Sequence, residues 1–284
     1  MSELSYFAAL VLGVVEGLTE FLPVSSTGHL TVTEKLLGLS VDAPAVTAYT
    51  AIIQLGAIAA TLIFFAKDIA RLLVAWVAGL RSAEAKKNPD YSLAWAVIIG
   101  SIPVALVGFA LKKVVEGPLR SLWVVAFALI LWSVVMWAAE RHHAVLERKD
   151  RVRGEHSVGM ADGLVIGLVQ CFSLVPGVSR SGATISAGLL RGIDRVTSTR
   201  LSFFMAIPAL TAAGLYEAAS TDLSSLGKGQ MVLGIVVAFL VAYASIAWLL
   251  KFVATNSLVS FVWYRVAAGV VLIAVLAAGV LSAT

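Results

Sequence analysis

The stretch Glu16–His29 constrains the fold of this chain most, because it places charged and hydroxyl side chains inside otherwise apolar sequence. It contains the carboxylates of Glu16 and Glu20, three consecutive hydroxyls at positions 25–27, and the imidazole of His29. Ionisable groups inside membrane segments are costly, and they usually mark a functional site. We therefore interpret this stretch as the centre of a site rather than as a connecting loop.

The composition places most of the chain in lipid. The sequence is 60% hydrophobic and 13% charged, with a mean hydropathy of +0.94, which is far from the values of soluble globular domains. Its 21 basic and 17 acidic side chains give a net charge of +4, and most basic residues fall between apolar runs. That pattern is a topology signal of membrane proteins and not a nucleic-acid-binding surface. The single cysteine, Cys171, excludes an internal disulfide.

The first apolar run is too short to cross a bilayer as a helix. Residues 4–15 are uncharged but number about a dozen, whereas a spanning helix needs roughly 20 residues. Pro23 and Gly28 break the helical pattern after this run, and a second short apolar run ends at Leu39. The sequence therefore predicts a re-entrant pair of half-helices over residues 4–39, covered by protein or water where the backbone is broken.

The rest of the first half carries three longer apolar runs, each able to span a membrane. The predicted spans are residues 45–66, 91–111 and 122–139. Segments 67–90 and 140–156 are rich in Lys and Arg, so both are expected to be cytoplasmic loops, with both chain termini in the periplasm. The histidines at positions 142, 143 and 156 are expected to be solvated loop residues.

The second half repeats this plan. A broken apolar run over residues 163–190 predicts a second re-entrant pair, and three spans follow at 201–216, 230–250 and 266–281. Gly13 and Gly17 match Gly163 and Gly167, and Ser25-Ser26-Thr27-Gly28 is similar to Ser179-Arg180-Ser181-Gly182. Three spans per half is an odd number, so the halves are expected in opposite orientations. The predicted fold is a single all-α integral membrane domain, 1–284, built as an inverted repeat of residues 1–139 and 157–284.

Glu16 and Glu20 lie four residues apart, which places both carboxylates on one face of a helix. Their mutual repulsion at low dielectric requires a cation, a proton or an arginine nearby. We interpret the pair as ligands of a divalent metal ion. The alternative is neutralisation by Arg180 without any ion.

The turn Pro176–Thr184 combines a Pro-Gly pair, the hydroxyls of Ser179, Ser181 and Thr184, and the guanidinium of Arg180. Free N–H groups at a helix start attract anions, and Arg180 adds planar donors suited to phosphate oxygens. Such hydroxyls also cap helices routinely, which is the simpler interpretation.

The candidate nucleophile is Ser26, on the condition that His29 or a carboxylate reaches its hydroxyl. His29 is the expected acid or base that takes its proton if the turn brings the two together. Ser25 and Thr27 are weaker candidates for binding phosphate. Gln54 and Arg265 are secondary candidates that stabilise the broken helices. The aromatic side chains at span ends, which include Tyr264, are interpreted as interfacial anchors.

The Glu16-x-x-x-Glu20 pair, the Pro-Val-Ser-Ser-Thr-Gly-His run that ends at His29, and the Pro-Gly-x-Ser-Arg-Ser-x-x-Thr run that ends at Thr184 together resemble the bacterial undecaprenyl-diphosphatase family, also called bacitracin-resistance proteins. The resemblance covers essentially the whole chain. It implies hydrolysis of undecaprenyl diphosphate to the monophosphate at the outer face of the inner membrane, which recycles the lipid carrier of peptidoglycan synthesis.

The resemblance also implies a requirement for Mg²⁺ or Ca²⁺. It further implies that bacitracin competes for the lipid substrate and does not bind the protein. It assigns the metal-binding carboxylates to Glu16 and Glu20, and the catalytic serine and histidine to Ser26 and His29. It assigns phosphate binding to the turn formed by Ser179, Arg180, Ser181 and Thr184. The expected partners are membrane lipids, and a second copy of the chain is a candidate partner in a homo-oligomer. The main rival is an inverted-repeat transporter or flippase of lipid phosphates, and a structural scaffold is a third alternative.

Overall fold

The computed structural model describes residues 4–41, 43–116, 119, 121–220 and 227–283, and this part of the chain is almost entirely helical. The helices in it are α1 (Tyr6–Thr19), α2 (Ser26–Leu36), α3 (Pro44–Phe64), α4 (Ala66–Arg81), α5 (Pro89–Ala110), α6 (Lys112–Glu116), α7 (Leu122–Arg148), α8 (Met160–Gln170), α9 (Arg180–Leu190), α10 (Arg195–Ser220), α11 (Lys228–Thr255) and α12 (Val259–Ala277).

Within the described residues, five helices are long and apolar enough to cross a membrane: α3, α5, α7, α11 and α12. They confirm the prediction of an all-helical integral membrane protein. The sixth expected span, 201–216, lies within α10, and the side chains at positions 213, 215 and 216 are outside the described residues.

The segment 67–90, expected to be a loop, is largely helical. Helix α4 covers its first part, because Leu72, Ala75 and Gly79 recur at helical spacing and are buried on one face. The loop expected at 140–156 is also shorter than predicted, since α7 continues to Arg148. His143 is consequently 1% exposed, so the expectation of a solvated side chain is wrong for this residue, whereas His142 and His156 are exposed as expected.

The two broken segments form matching pairs of short helices. Helices α2 and α9 have 11 residues each, and they begin immediately after Ser25 and Ser179 respectively. Both serines have φ = 77°, a left-handed backbone conformation that non-glycine residues rarely adopt. The similarity detected between the two sequence stretches is therefore a similarity of backbone conformation.

Each half packs its first short helix on a long helix of the other half. Helix α1 packs on α11, and α8 packs on α5, at glycines that allow close backbone approach. A Cβ atom at Gly17 would lie 2.7 Å from the carbonyl oxygen of Ala238, and one at Gly167 would lie 2.2 Å from that of Gly100. These crossings hold the broken segments inside the bundle.

Charged residues gather at one end of the bundle. Arg71 donates to Asp90 and to Glu155 at 2.7 Å, while Arg200 donates to Asp68 and Glu155, both at 2.7 Å. Segments 67–90 and 140–156, which share these ion pairs, thus lie on the same side. The second broken segment begins and ends near this side, because Arg153 and Arg191 both bind Asp162 at its start.

The first broken segment begins near the start of α11 and ends near the C-terminal end of the chain. Gln230 Nε2, at the start of α11, donates to the carbonyl oxygen of Leu4 before α1. Lys35 Nζ, at the end of α2, donates to the backbone and hydroxyl oxygens of Ser282.

Candidate active site

A cavity of about 550 Å³ lies where the two broken segments meet, and its wall is both polar and apolar. The polar part includes residues of the two turns, namely Glu20, Ser25, Ser26, Thr27, Ser179 and Arg180. The apolar part comes from the end of α5 and from neighbouring segments, with Val104, Phe109, Val115, Leu174 and Leu210 among its residues. The folded chain thus brings together, in one cavity wall, six of the ten candidate site residues named from the sequence.

Ser26, Glu20 and Arg180 form a hydrogen-bonded chain across the two turns. The Ser26 hydroxyl donates to Glu20 Oε2 at 2.7 Å, and Arg180 NH2 donates to Glu20 Oε1 at 3.2 Å. Glu20 is buried, with 5% of its side chain exposed, so the guanidinium is its balancing charge. This arrangement gives the serine a carboxylate positioned to accept its proton.

The guanidinium of Arg180 is fixed from several sides. NH1 donates to the carbonyl oxygen of Ser202 at 3.1 Å, and the cation lies over the Phe21 ring at 5.9 Å from its centre. Its Nε is buried and has no hydrogen-bond partner among the described residues. Arg180 also lines the cavity, so it has donor capacity there that the described residues do not use.

The two turns are hydrogen-bonded directly to each other. The backbone N–H of Gly177 donates to the Ser25 hydroxyl at 3.1 Å, and the Ser181 hydroxyl donates to the carbonyl oxygen of Leu22 at 2.9 Å. The strained φ of Ser25 and Ser179, of a kind that clusters at functional sites, occurs at the start of α2 and α9. Two helix N-termini, which favour anions, thus lie beside one cavity.

Arg265 holds both turns from behind. It is fully buried, and it donates to the carbonyl oxygens of Pro23 at 3.2 Å and Gly177 at 2.8 Å. It also donates to the backbone of α7 at Leu129. The expectation that Arg265 stabilises the broken helices is confirmed, whereas Gln54, the other secondary candidate, lines the cavity.

The His29 ring makes no hydrogen bond to Ser26. Its Nδ1 is 2.8 Å from the carbonyl oxygen of Ser25, and its Nε2 is 2.6 Å from the hydroxyl of Tyr264, whose ring stacks on the imidazole. The hydrogen bond expected between Ser26 and His29 is replaced by the one from Ser26 to Glu20. Tyr264 is more than an interfacial anchor, and its sequence separation from His29 gave no signal of the pairing.

Ser181 and Thr184 do not line the cavity wall, although Ser179 and Arg180 of the same turn do. The Thr184 hydroxyl is 2.9 Å from the Arg180 carbonyl oxygen and 2.7 Å from the Ser202 hydroxyl. The Ser181 hydroxyl is fully buried against the first turn. Both side chains connect α9 to its neighbours and so fix the position of Arg180.

Glu16 is 1% exposed, and its Oε1 accepts no hydrogen bond from the described residues. It does not line the cavity. No group of three or more His, Cys, Asp or Glu side chains with metal-binding geometry occurs in the described part of the chain. Glu16 and Glu20 could therefore hold a cation only together with hydroxyl, amide, water or substrate oxygens, which are ligands that Mg²⁺ and Ca²⁺ accept.

Comparison with known proteins places this site in a family. The family model described as bacitracin resistance protein BacA matches residues 9–271, which include both turns. The chain belongs to the BacA family. Family membership confirms the resemblance carried by the motifs of the two turns.

Curated relatives of this BacA family chain match it over almost its full length. An "Undecaprenyl-diphosphatase" of Cutibacterium acnes is 51% identical over 99% of this chain and 100% of its own. An "Undecaprenyl-diphosphatase 3" of Frankia casuarinae is 54% identical over 97% of this chain and 98% of its own. An "Undecaprenyl-diphosphatase 1" of Streptomyces coelicolor is 52% identical over 99% of both chains.

Proposed function

We propose that this protein hydrolyses undecaprenyl diphosphate to undecaprenyl phosphate and inorganic phosphate, which recycles the lipid carrier and confers bacitracin resistance. Its relatives carry the name of this activity. The observation that carries the proposal is the Ser26–Glu20–Arg180 chain in the wall of the cavity. It supplies a nucleophile, a base and a cation together.

The cavity suits an amphipathic substrate. Its polar wall can accept the diphosphate, while Val104, Phe109 and Leu210 provide an apolar surface for the isoprenoid chain. A wholly polar pocket would fit a soluble phosphate ester, and a wholly apolar one would fit a hydrocarbon. The combination accounts for a phosphatase embedded in a membrane.

In the proposed reaction, the Ser26 oxygen attacks the terminal phosphorus and its proton passes to Glu20. A bond from serine oxygen to phosphorus forms, the bond from phosphorus to the bridging oxygen breaks, and undecaprenyl phosphate leaves. Water then attacks the phosphoserine, inorganic phosphate leaves, and Glu20 returns the proton to Ser26. Arg180 stabilises the charge on the transferring phosphoryl group throughout. Direct attack by water, with Ser26 only binding phosphate, is the competing route.

A divalent cation, Mg²⁺ or Ca²⁺, is part of the proposal, with Glu16 and Glu20 as its protein ligands. The unpaired Oε1 of the buried Glu16 fits this role, because a buried carboxylate oxygen without a donor is costly unless it binds a cation or a proton. When bound, such a cation supplies neutralisation of phosphate charge.

The remaining residues of the turns bind and position. Ser25, Thr27 and Ser179 line the cavity and are proposed to bind phosphate oxygens. Ser181 and Thr184 hold α9, and His29 fixes the first turn through the Ser25 carbonyl oxygen.

The inverted-repeat architecture and the orientation belong to the same proposal. The first broken segment begins and ends near Leu4 and Ser282, whereas the second begins and ends at the charged end of the bundle, which supports insertion from opposite sides. Helix α5 begins at Pro89 beside those charges and contributes Val104–Phe109 to the cavity near its other end. If the charged end lies on the cytoplasmic side of the inner membrane, the cavity, which is nearer the other end, opens toward the periplasm.

The test is release of phosphate from undecaprenyl diphosphate by the purified protein in detergent, with and without added divalent ion. We expect release that requires the ion and is absent in Ser26→Ala. A wild-type protein that carries lipid phosphates across vesicle membranes without releasing phosphate would overturn the proposal in favour of a transporter.

A further inference from the structure

Gln170 is a buried polar residue that the proposed reaction does not yet use. It is 0% exposed, it lines the cavity, and neither its Oε1 nor its Nε2 has a hydrogen-bond partner among the described residues. A buried side-chain amide without partners is rare in proteins, because it gives up its hydrogen bonds to water without replacement. Such a group in a cavity wall indicates that a ligand completes its hydrogen bonds.

The repeat explains which ligand Gln170 is suited to bind. Gln170 follows Gly167 by three residues, just as Glu20 follows Gly17, so the two side chains occupy corresponding positions in the two halves. Both residues line the same cavity. The first half thus has an acceptor-only carboxylate at this position, whereas the second half has an uncharged amide that can also donate.

We propose that the Gln170 amide binds the diphosphate group of the substrate, with Nε2 donating a hydrogen bond to a phosphate oxygen. This inference rests on the proposed function. A glutamate here would add a further negative charge beside Glu20 and repel the diphosphate, while a leucine would offer no donor. The amide complements Arg180, which supplies charge, by supplying a neutral donor from the adjoining segment of the same half.

The experiment compares Gln170→Leu and Gln170→Glu with a matched control, Ser186→Ala, in the full-length protein in detergent. The Ser186 hydroxyl is also buried and unpaired on the second broken segment, but Ser186 does not line the cavity. Two readouts are taken: KM and kcat for undecaprenyl diphosphate, and the rise in unfolding temperature caused by inorganic pyrophosphate. The second readout needs no hydrolysis.

We expect Gln170→Leu to raise KM about tenfold, equivalent to about 1.4 kcal/mol of binding, with a smaller change in kcat. Pyrophosphate should bind this variant more weakly by a similar factor, as measured by its smaller rise in unfolding temperature. Gln170→Glu should be protected even less by pyrophosphate. Ser186→Ala should match the wild type in both readouts. Because the leucine variant removes an unpaired amide, it should fold at least as stably as the wild type.

The inference is overturned if Gln170→Leu matches Ser186→Ala, if pyrophosphate does not protect the wild type, or if only the dependence on divalent ion changes. A wild-type protein that releases no phosphate contradicts the proposed function instead. Pyrophosphate protection of the variants then still decides whether Gln170 binds diphosphate.

Discussion

Replacing Glu20 by glutamine tests whether this carboxylate, rather than His29, takes the proton of Ser26. Glutamine keeps the shape of the side chain and can still accept the 2.7 Å hydrogen bond from the Ser26 hydroxyl. It cannot accept the proton. The variant therefore separates binding of the hydroxyl from its deprotonation, which a change to alanine would not do.

The expected size of the effect follows from the geometry. Loss of a positioned general base lowers kcat by about 10²- to 10⁴-fold, equivalent to about 2.7 to 5.5 kcal/mol. At saturating divalent ion, so that a cation site weakened by the loss of one carboxylate is still filled, the KM should stay the same or fall, because removing a carboxylate from the cavity also removes repulsion of the diphosphate. A drop in kcat without a rise in KM is thus the predicted signature of Glu20→Gln.

His29→Ala is the matched comparison. The imidazole makes two hydrogen bonds, to the Ser25 carbonyl oxygen and to Tyr264, and neither involves the reacting hydroxyl. At about 1 kcal/mol for each bond, its loss should lower kcat by at most about 30-fold. Tyr264→Phe, which removes one of these bonds, should reproduce part of that loss.

Initial rates of phosphate release over a range of lipid concentrations give both constants for all three variants. Their unfolding temperatures establish that each is folded at the assay temperature. A larger loss of kcat in His29→Ala than in Glu20→Gln would refute the assignment and restore His29 as the base. Near-normal kcat in Glu20→Gln would also refute it.

Three further predictions concern other parts of the molecule. Arg180→Lys should lose about 100-fold in kcat/KM for phosphate release, since lysine keeps the charge but loses the planar fork that bonds Glu20; near-normal efficiency would mean that charge alone suffices. Gly167→Ala should lose about 1 to 3 kcal/mol of stability in thermal unfolding, whereas Gly108→Ala, where a Cβ would meet only one side-chain atom at 3.4 Å, should not. Cysteines placed at positions 84 and 149 should not react with an impermeant reagent added outside intact cells; labelling there would reverse the topology.

The helical membrane fold and most of the site were predictable because they follow from local patterns. Uncharged runs of sufficient length indicate spanning helices, and the breaks at Pro23 and Pro176 indicate where short helices meet. The pairing of the Ser25 and Ser179 turns was visible as a repeat of residue types. Its cause is physical, since both positions carry the same left-handed backbone.

What the sequence did not predict depends on contacts between distant segments. The direction of the Ser26 hydroxyl, toward Glu20 and away from His29, is decided by how the turn folds. His29 lies beside Tyr264 only because α12 passes the first turn. The sequence predicted a loop where α4 forms, because the basic residues of this segment indicate a loop while its apolar face is narrow.

The two halves of the repeat contribute different chemistry to a common frame. Each provides a short helix that starts at a strained serine, but Ser26 in the first corresponds to Arg180 in the second, and Glu20 corresponds to Gln170. In the proposed mechanism, the nucleophile and base thus come from one half, and the charged and neutral donors come from the other. Since the Glu20–Arg180 ion pair joins these halves, the Ser26–Glu20–Arg180 chain is complete only when both turns are in place. Arg265, which bonds the backbone of both turns, therefore helps to hold this chain together even though it lies outside the cavity wall.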